Sequence, residues 1–243
     1  MSKVFKYELG RLIFNKFFLC LLIITGYSTY TVLEGDIILG IANTAPFSGW
    51  SYSWFLSQAL PLLSITLLFF VSFLYTRNEK KVQVLIKATP MSSARYFLIR
   101  CLAMVTGFIL LCGIVIVISL VFFASVFQFT AFSDFLLPIA LTLLPSMLFI
   151  LGLGMVSGRM HIAVLYGLML LLMLIGQIPG LNKLDLFGAA FYQSFPLTLP
   201  DGPLGEPLFF IPLSYVLERG LYALAGLLLV FCGLMPLGSR RNV

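Results

Sequence analysis

The sequence predicts an all-α integral membrane protein of six transmembrane helices, and three observations carry that expectation. Hydrophobic residues make up 60% of the 243, charged residues only 10%, and the mean hydropathy is +1.07. A soluble domain carries roughly 25% charged residues, and a chain of this size cannot hide so much apolar surface in its own core. Six stretches long enough for a hydrocarbon layer of about 30 Å contain no Asp, Glu, Lys, Arg or His. The remaining charges then separate by sign across the layer. Of the 15 Lys and Arg, only Lys183 and Arg219 fall opposite the side that holds both termini. Glu8 and Glu79 share the basic side, while Glu34, Asp36, Asp134, Asp185, Asp201, Glu206 and Glu218 lie opposite. The basic side is cytoplasmic by the positive-inside rule, so both ends are expected inside the plasma membrane. Membrane topology accounts for the basic excess without invoking nucleic acid.

The elements follow in order within one transmembrane domain, residues 1–243. Residues 3–16 pattern as an amphipathic helix. Phe5, Leu9, Leu12 and Ile13 follow the i, i+4, i+7, i+8 spacing of one face, with Lys6, Glu8, Arg11 and Lys16 at other positions. Such a helix suits the surface of the inner leaflet. The spans are predicted at 17–33, 53–75, 101–127, 135–157, 162–178 and 220–237, the third and fourth close enough in sequence to form a hairpin. Pro61, Pro138 and Pro145 fall within spans, where neighbouring helices absorb kinks. Gly154 and Gly158 form a GxxxG step that reads as close helix packing. Trp50 and Trp54 at the mouth of the second span suit the membrane interface. Cys20, Cys101, Cys112 and Cys232 all fall in apolar runs and read as small apolar fillers rather than disulfide or metal ligands.

The largest cytoplasmic loop, 75–103, has more grammar than a linker needs. A charged cluster (Arg77, Glu79, Lys80, Lys81) leads a short helix with Val82, Leu85 and Ile86 on one side. A Thr89-Pro90 break follows, and Ser92 or Ser93 can cap the helix that runs on into the third span. An exposed apolar stripe held between two spans reads as a docking element for a cytosolic partner. The external stretch 179–219 is rich in Pro and Gly yet also in Phe and Leu, so it is expected to pack back as short or re-entrant helices.

Catalytic and energetic signatures are missing from the same sequence. There is no GxxxxGK[ST] cradle for ATP, and the single histidine, His161, reads as a turn residue. With one histidine, an HExxH site and paired-His metal sites are out of reach. Nothing ionisable occurs within the six predicted spans, although ion-coupled carriers ordinarily need such a group near the midplane. No enzymatic activity is expected of this chain.

The run from Arg77 to Arg100, through Ala88-Thr89-Pro90, Ser92-Ser93 and Arg95-Tyr96-Phe97-Leu98, resembles the loop between spans two and three of ABC transporter type-2 permeases. The amphipathic start resembles that family's elbow helix. Leu184 to Ala190 and Glu218-Arg219-Gly220 also resemble family patches, so that topology and patches together span nearly the whole chain. The resemblance implies a permease subunit of an ATP-driven exporter, working as a dimer with a second copy or a related permease. Separate ATPase subunits would carry ATP and Mg. It implies a coupling helix at Glu79, Lys80, Lys81, Val82, Leu85, Ile86 and Lys87. It implies an external gate from Leu184, Asp185, Phe187, Gly188 and Phe191, within short helices over 184–195. Apolar walls favour a lipid-like or amphipathic cargo. A membrane scaffold that uses the same loop to recruit a partner is the alternative, distinguished by whether an ATPase co-purifies.

Overall fold

The computed structural model describes residues 2–75, 93–174, 185–200, 202 and 206–234. Among them the chain is all-helical, and eight α-helices follow one another. These are α1 (Ser2–Ile13), α2 (Lys16–Gly35), α3 (Gly49–Ser72), α4 (Ser93–Phe127), α5 (Leu136–Met160), α6 (Ile162–Leu174), α7 (Ala189–Ser194) and α8 (Leu213–Leu234). Five of them, α2, α3, α4, α5 and α8, are long and apolar enough to cross a membrane. The chain is therefore a multi-pass membrane protein. The predicted fifth span appears as α6. Its 13 residues rise only about 20 Å, short of the hydrocarbon thickness, and 175–178 lie outside the described residues.

Helix starts follow local chemistry. The chain breaks at Phe14-Asn15, and the Asn15 side chain accepts from the amide of Phe17 at 3.1 Å, so amphipathic α1 and apolar α2 are separate helices. Ser48 caps α3 in the same way, accepting from Ser51 N at 3.2 Å. The helix leading into the third span is described from Ser93 onward, and Ser92, the other predicted cap residue, lies outside the described residues. His161 is exposed, and its Nδ1 accepts from Ala163 N at 3.1 Å at the start of α6.

The hub of the bundle is α3. It packs on α2 and α4 on one side and on α5 and α6 on the other, with α7 against it as well. The predicted α4–α5 hairpin is thus not a packed pair, because each helix finds its main partners on a different flank of α3. Only α3 is buried along most of its length, and its serines bond inside it. Ser53 and Ser57 hydroxyls donate to the carbonyls of Gly49 and Trp54 at 2.7 and 2.6 Å. Its aromatic side chains lock neighbours in place. Tyr52 stacks on Phe135 at 4.0 Å, and its hydroxyl bonds Ser119 of α4 at 3.1 Å.

The tightest helix pair is α5 with α8. A Cβ on Gly226 would lie 2.5 Å from the Leu148 carbonyl and the Phe149 nitrogen, and one on Gly152 would lie 2.5 Å from the Gly226 carbonyl. Where lipid supplies as good an apolar environment as protein, such small-residue contact is what draws helices together. Gly154 and Gly158 do pack closely, but onto Leu68, Val71 and Tyr75 at the α3 end. Of the cysteines, Cys101 and Cys112 are buried while Cys20 and Cys232 are exposed, and none is bridged.

Two further sequence expectations are corrected. The last helix begins at Leu213, seven residues before the predicted Gly220, so Glu218 and Arg219 lie inside it. A search for uncharged runs stops at Glu218 and Arg219, whereas the fold shields Arg219 to 1% exposure and leaves Glu218 outside. The second correction concerns Trp50. It is fully buried by protein rather than set at a lipid interface, for reasons given next.

Candidate functional site

An ionisable residue inside a membrane helix is costly unless it faces the bundle and finds partners, so the site is built outward from Arg219. Its guanidinium donates to two backbone carbonyls, Leu186 O at 2.6 Å and Asp185 O at 2.7 Å. It also lies over two rings of its own helix face, Tyr215 at 4.7 Å and Tyr222 at 5.5 Å from the ring centres. Positions 215, 219 and 222 share one helix face by i, i+4, i+7 spacing. A planar fork with fixed donors fits two adjacent carbonyls, and a lysine would not.

The segment that Arg219 grips folds back into the bundle. Gly188 takes φ 88, and α7 follows at once, its first amides at Ala190 and Phe191 held by the Asp185 carboxylate at 3.2 and 2.8 Å. Only glycine suits position 188, because a Cβ there would overlap the Tyr215 hydroxyl. The Leu186 carbonyl also accepts from Ser146 at 3.4 Å. Ser146 lies ten residues into α5, about 15 Å along it, so the segment reaches well below the helix ends. The Tyr192 hydroxyl bonds Thr142 at 2.9 Å on the same helix.

Aromatic rings close the site from the other side. Phe191 stacks on Tyr215 at 3.8 Å and on Phe195 at 4.9 Å. Trp50, at the start of α3, meets Phe195 at 5.9 Å and Phe209 at 4.9 Å, and its Nε1 donates to Leu208 O at 3.3 Å. The connection from α2 joins the cap too. Gly40, Ala42 and Asn43 all have positive φ, making a tight turn, and Ala45 N donates to the Glu206 carboxylate at 3.0 Å. Three stretches distant in sequence thus form one cap at this end.

Of the residues predicted here, Asp185, Phe187, Gly188 and Phe191 all belong to this cap, Phe187 in its buried floor. Leu184 lies outside the described residues. Sequence reasoning missed Trp50, Tyr192, Phe195, Tyr215 and Arg219. The 215/219/222 spacing was the available signal, hidden because Arg219 reads as a loop charge.

At the opposite end, α1 lies along α4. Phe5, Leu9, Leu12 and Ile13 are half-buried, while Lys3, Lys6, Tyr7 and Arg11 are exposed. Glu8 departs from its expected solvent position, being buried. At 100° per residue it stands only about 40° from Leu12, on the edge of the apolar face. It pairs with the buried Arg100 Nε at 3.4 Å, and Tyr96 donates to it at 3.3 Å. The predicted coupling residues Glu79, Lys80, Lys81, Val82, Leu85, Ile86 and Lys87 lie outside the described residues.

Chemically the cap is a clamp. Its fully buried charge, Arg219, is a permanent cation engaged with backbone carbonyls, and the Asp185 and Glu206 carboxylates accept from backbone amides. Among the described residues no cluster of His, Cys, Asp or Glu is arranged to hold a metal ion. Comparison with known proteins finds no matching family model, no matching curated protein and no matching solved structure.

Proposed function

We propose that this chain is the membrane-spanning permease subunit of an ATP-driven ABC exporter, acting as a dimer with separate ATPase subunits. The observation that carries the reading is the buried Glu8–Arg100 pair, with Tyr96 beside it. It fastens an amphipathic N-terminal helix to the opening turns of α4, the helix that leads out of the charged segment 76–92. An ATPase docked on Glu79–Lys87 would push on the start of α4 and on the helix strapped to it. Binding and hydrolysis of ATP-Mg in that partner would then bias the dimer between two arrangements by a rigid-body step. The clamp around Arg219 would serve as the external gate, with both chain ends cytoplasmic. Apolar walls suit a lipid-like or amphipathic cargo.

The test is affinity purification of the detergent-extracted chain with its co-expressed partners, followed by proteoliposome transport. An ATPase should co-purify. Transport should need that ATPase with ATP-Mg and should persist when proton and sodium gradients are collapsed. Gradient-driven uptake by the isolated chain would refute the proposal, and co-purification of a partner without ATPase activity or transport would favour a scaffold.

A further inference from the structure

The hub helix α3 leaves one stripe of itself uncovered. Of its 24 residues only Gln58 is exposed, and Trp54, Pro61, Leu62, Ile65 and Phe69 around it are half-buried. At 100° per residue these six positions fall within an arc of about 100°, with Gln58 near its centre. Gln58 stands about 14 Å from the Gly49 end of the helix and about 21 Å from the Ser72 end, so it lies within the hydrocarbon layer. Among the described residues its carboxamide has no hydrogen-bond partner, and lipid tails offer none. An amide left unpaired in an apolar medium is costly, which is why glutamine inside a membrane marks contact between helices.

We infer that this stripe packs against the same stripe of a second copy, Gln58 bonding to Gln58 across a two-fold axis along the membrane normal. An axis so placed holds each residue level with its own twin and makes the interface self-complementary. A carboxamide has two donor hydrogens and an acceptor oxygen, so two identical ones satisfy each other. The depth of Gln58 puts it beyond the reach of a soluble partner, whereas a second copy brings the matching amide to the matching level. Leu62, Ile65 and Phe69, on the same arc, supply the apolar packing that carries the contact toward the other end of the helix. The inference rests on the dimer of the permease reading and names the face that the dimer uses.

The experiment is cysteine cross-linking in native membranes, in a chain whose own four cysteines are replaced, alongside single-molecule photobleaching counts of tagged copies in bilayers. Gln58→Cys should form a covalent dimer on oxidation, and Leu110→Cys, exposed on α4, should not. Gln58→Leu leaves the fold intact, since Gln58 bonds nothing within its chain, and should weaken association about three- to thirty-fold. Two copies counted without a Gln58 cross-link, or association unchanged in Gln58→Leu, overturns the inference while leaving a dimeric permease standing. Linkage of Gln58→Cys to Gln177→Cys within one chain also overturns it, because the amide's partner would then be intramolecular. So does labelling of Gln58→Cys by a membrane-impermeant maleimide, which would put water rather than protein against the stripe. Monomers at every density overturn both this interface and the dimer of the permease reading, whose need for an ATPase is measured separately.

Discussion

Replacing Arg219 by methionine tests whether the α7 segment is held by the guanidinium or merely packed near it. The change keeps an unbranched side chain in a fully enclosed position but removes two charge-assisted bonds to Asp185 and Leu186. Such bonds contribute about 1.5–3 kcal/mol each. Stacking over Tyr215 and Tyr222 adds about 0.5–2 kcal/mol per ring. Against these stands the penalty of keeping a guanidinium dry, several kcal/mol before pairing, which methionine abolishes. The Leu186 carbonyl retains Ser146, and the Asp185 carbonyl retains the Gly188 amide at 3.1 Å. A net loss of about 2–3 kcal/mol is the expected balance, equivalent to a fall in melting temperature of about 4–12 °C. The readouts are a thermal melt in detergent and the rate of thiol labelling at Ala190→Cys on α7, made in a chain with its own cysteines replaced. Arg219→Met should lower the melt and speed labelling, and Arg219→Lys should rescue little, lacking the fork. Wild-type labelling in Arg219→Met with an unchanged melt would show that aromatic packing alone holds the segment.

Further outcomes follow from other contacts. Gly226→Val must part α5 from α8, since backbone atoms meet its Cβ at 2.5 Å, and should cost about 1–3 kcal/mol or more, whereas Gly167→Ala meets nothing within 4 Å and should be tolerated in the same melt. Glu8→Leu removes the carboxylate that meets the buried Arg100 and should cost about 3–5 kcal/mol, part of it recovered by adding Arg100→Leu; additive losses in a double-mutant cycle would deny the pair. Val82→Asp or Leu85→Asp should weaken ATPase co-purification, losing about 2 kcal/mol of docking energy while the chain remains in the membrane; unchanged co-purification and ATPase stimulation in both would exclude that stripe. Asp201→Cys should label from outside intact cells, and labelling of Lys81→Cys from outside would reverse the proposed orientation.

The helical, membrane-crossing class was readable from composition because nothing but lipid can cover this much apolar surface. The boundary between the amphipathic start and the first apolar helix was readable too, within a residue or two of Asn15. The start of the last helix was not readable, because charge was taken to mean exposure. Whether a charge is tolerated inside depends on carbonyls that only the returning segment at Asp185 and Leu186 supplies. Glu8 misled in the same way, its acceptor role fixed by Tyr96 and Arg100 some ninety residues away. Trp50 fitted an interfacial pattern, and only the folded cap reveals the rings that bury it. The Asp185–Phe191 patch was found by its resemblance to a family motif, while Trp50 on α3 had no local pattern to announce it and the 215/219/222 spacing on α8 was hidden by the charge of Arg219.

The length of α4 has a mechanical consequence. Its 35 residues make a rod of about 52 Å, some 20 Å longer than the hydrocarbon layer. No proline interrupts it, so it bends poorly. Rocked by 10° about its middle, a rod of this length would swing each tip by about 4–5 Å in opposite directions. One tip carries Tyr96 and Arg100, gripped by α1, and the other carries Phe122, Phe123 and Phe127 among the rings beneath Tyr52 and Phe47. A lever of that kind needs no chain of side-chain rearrangements through the bilayer to make one surface register a push on the other.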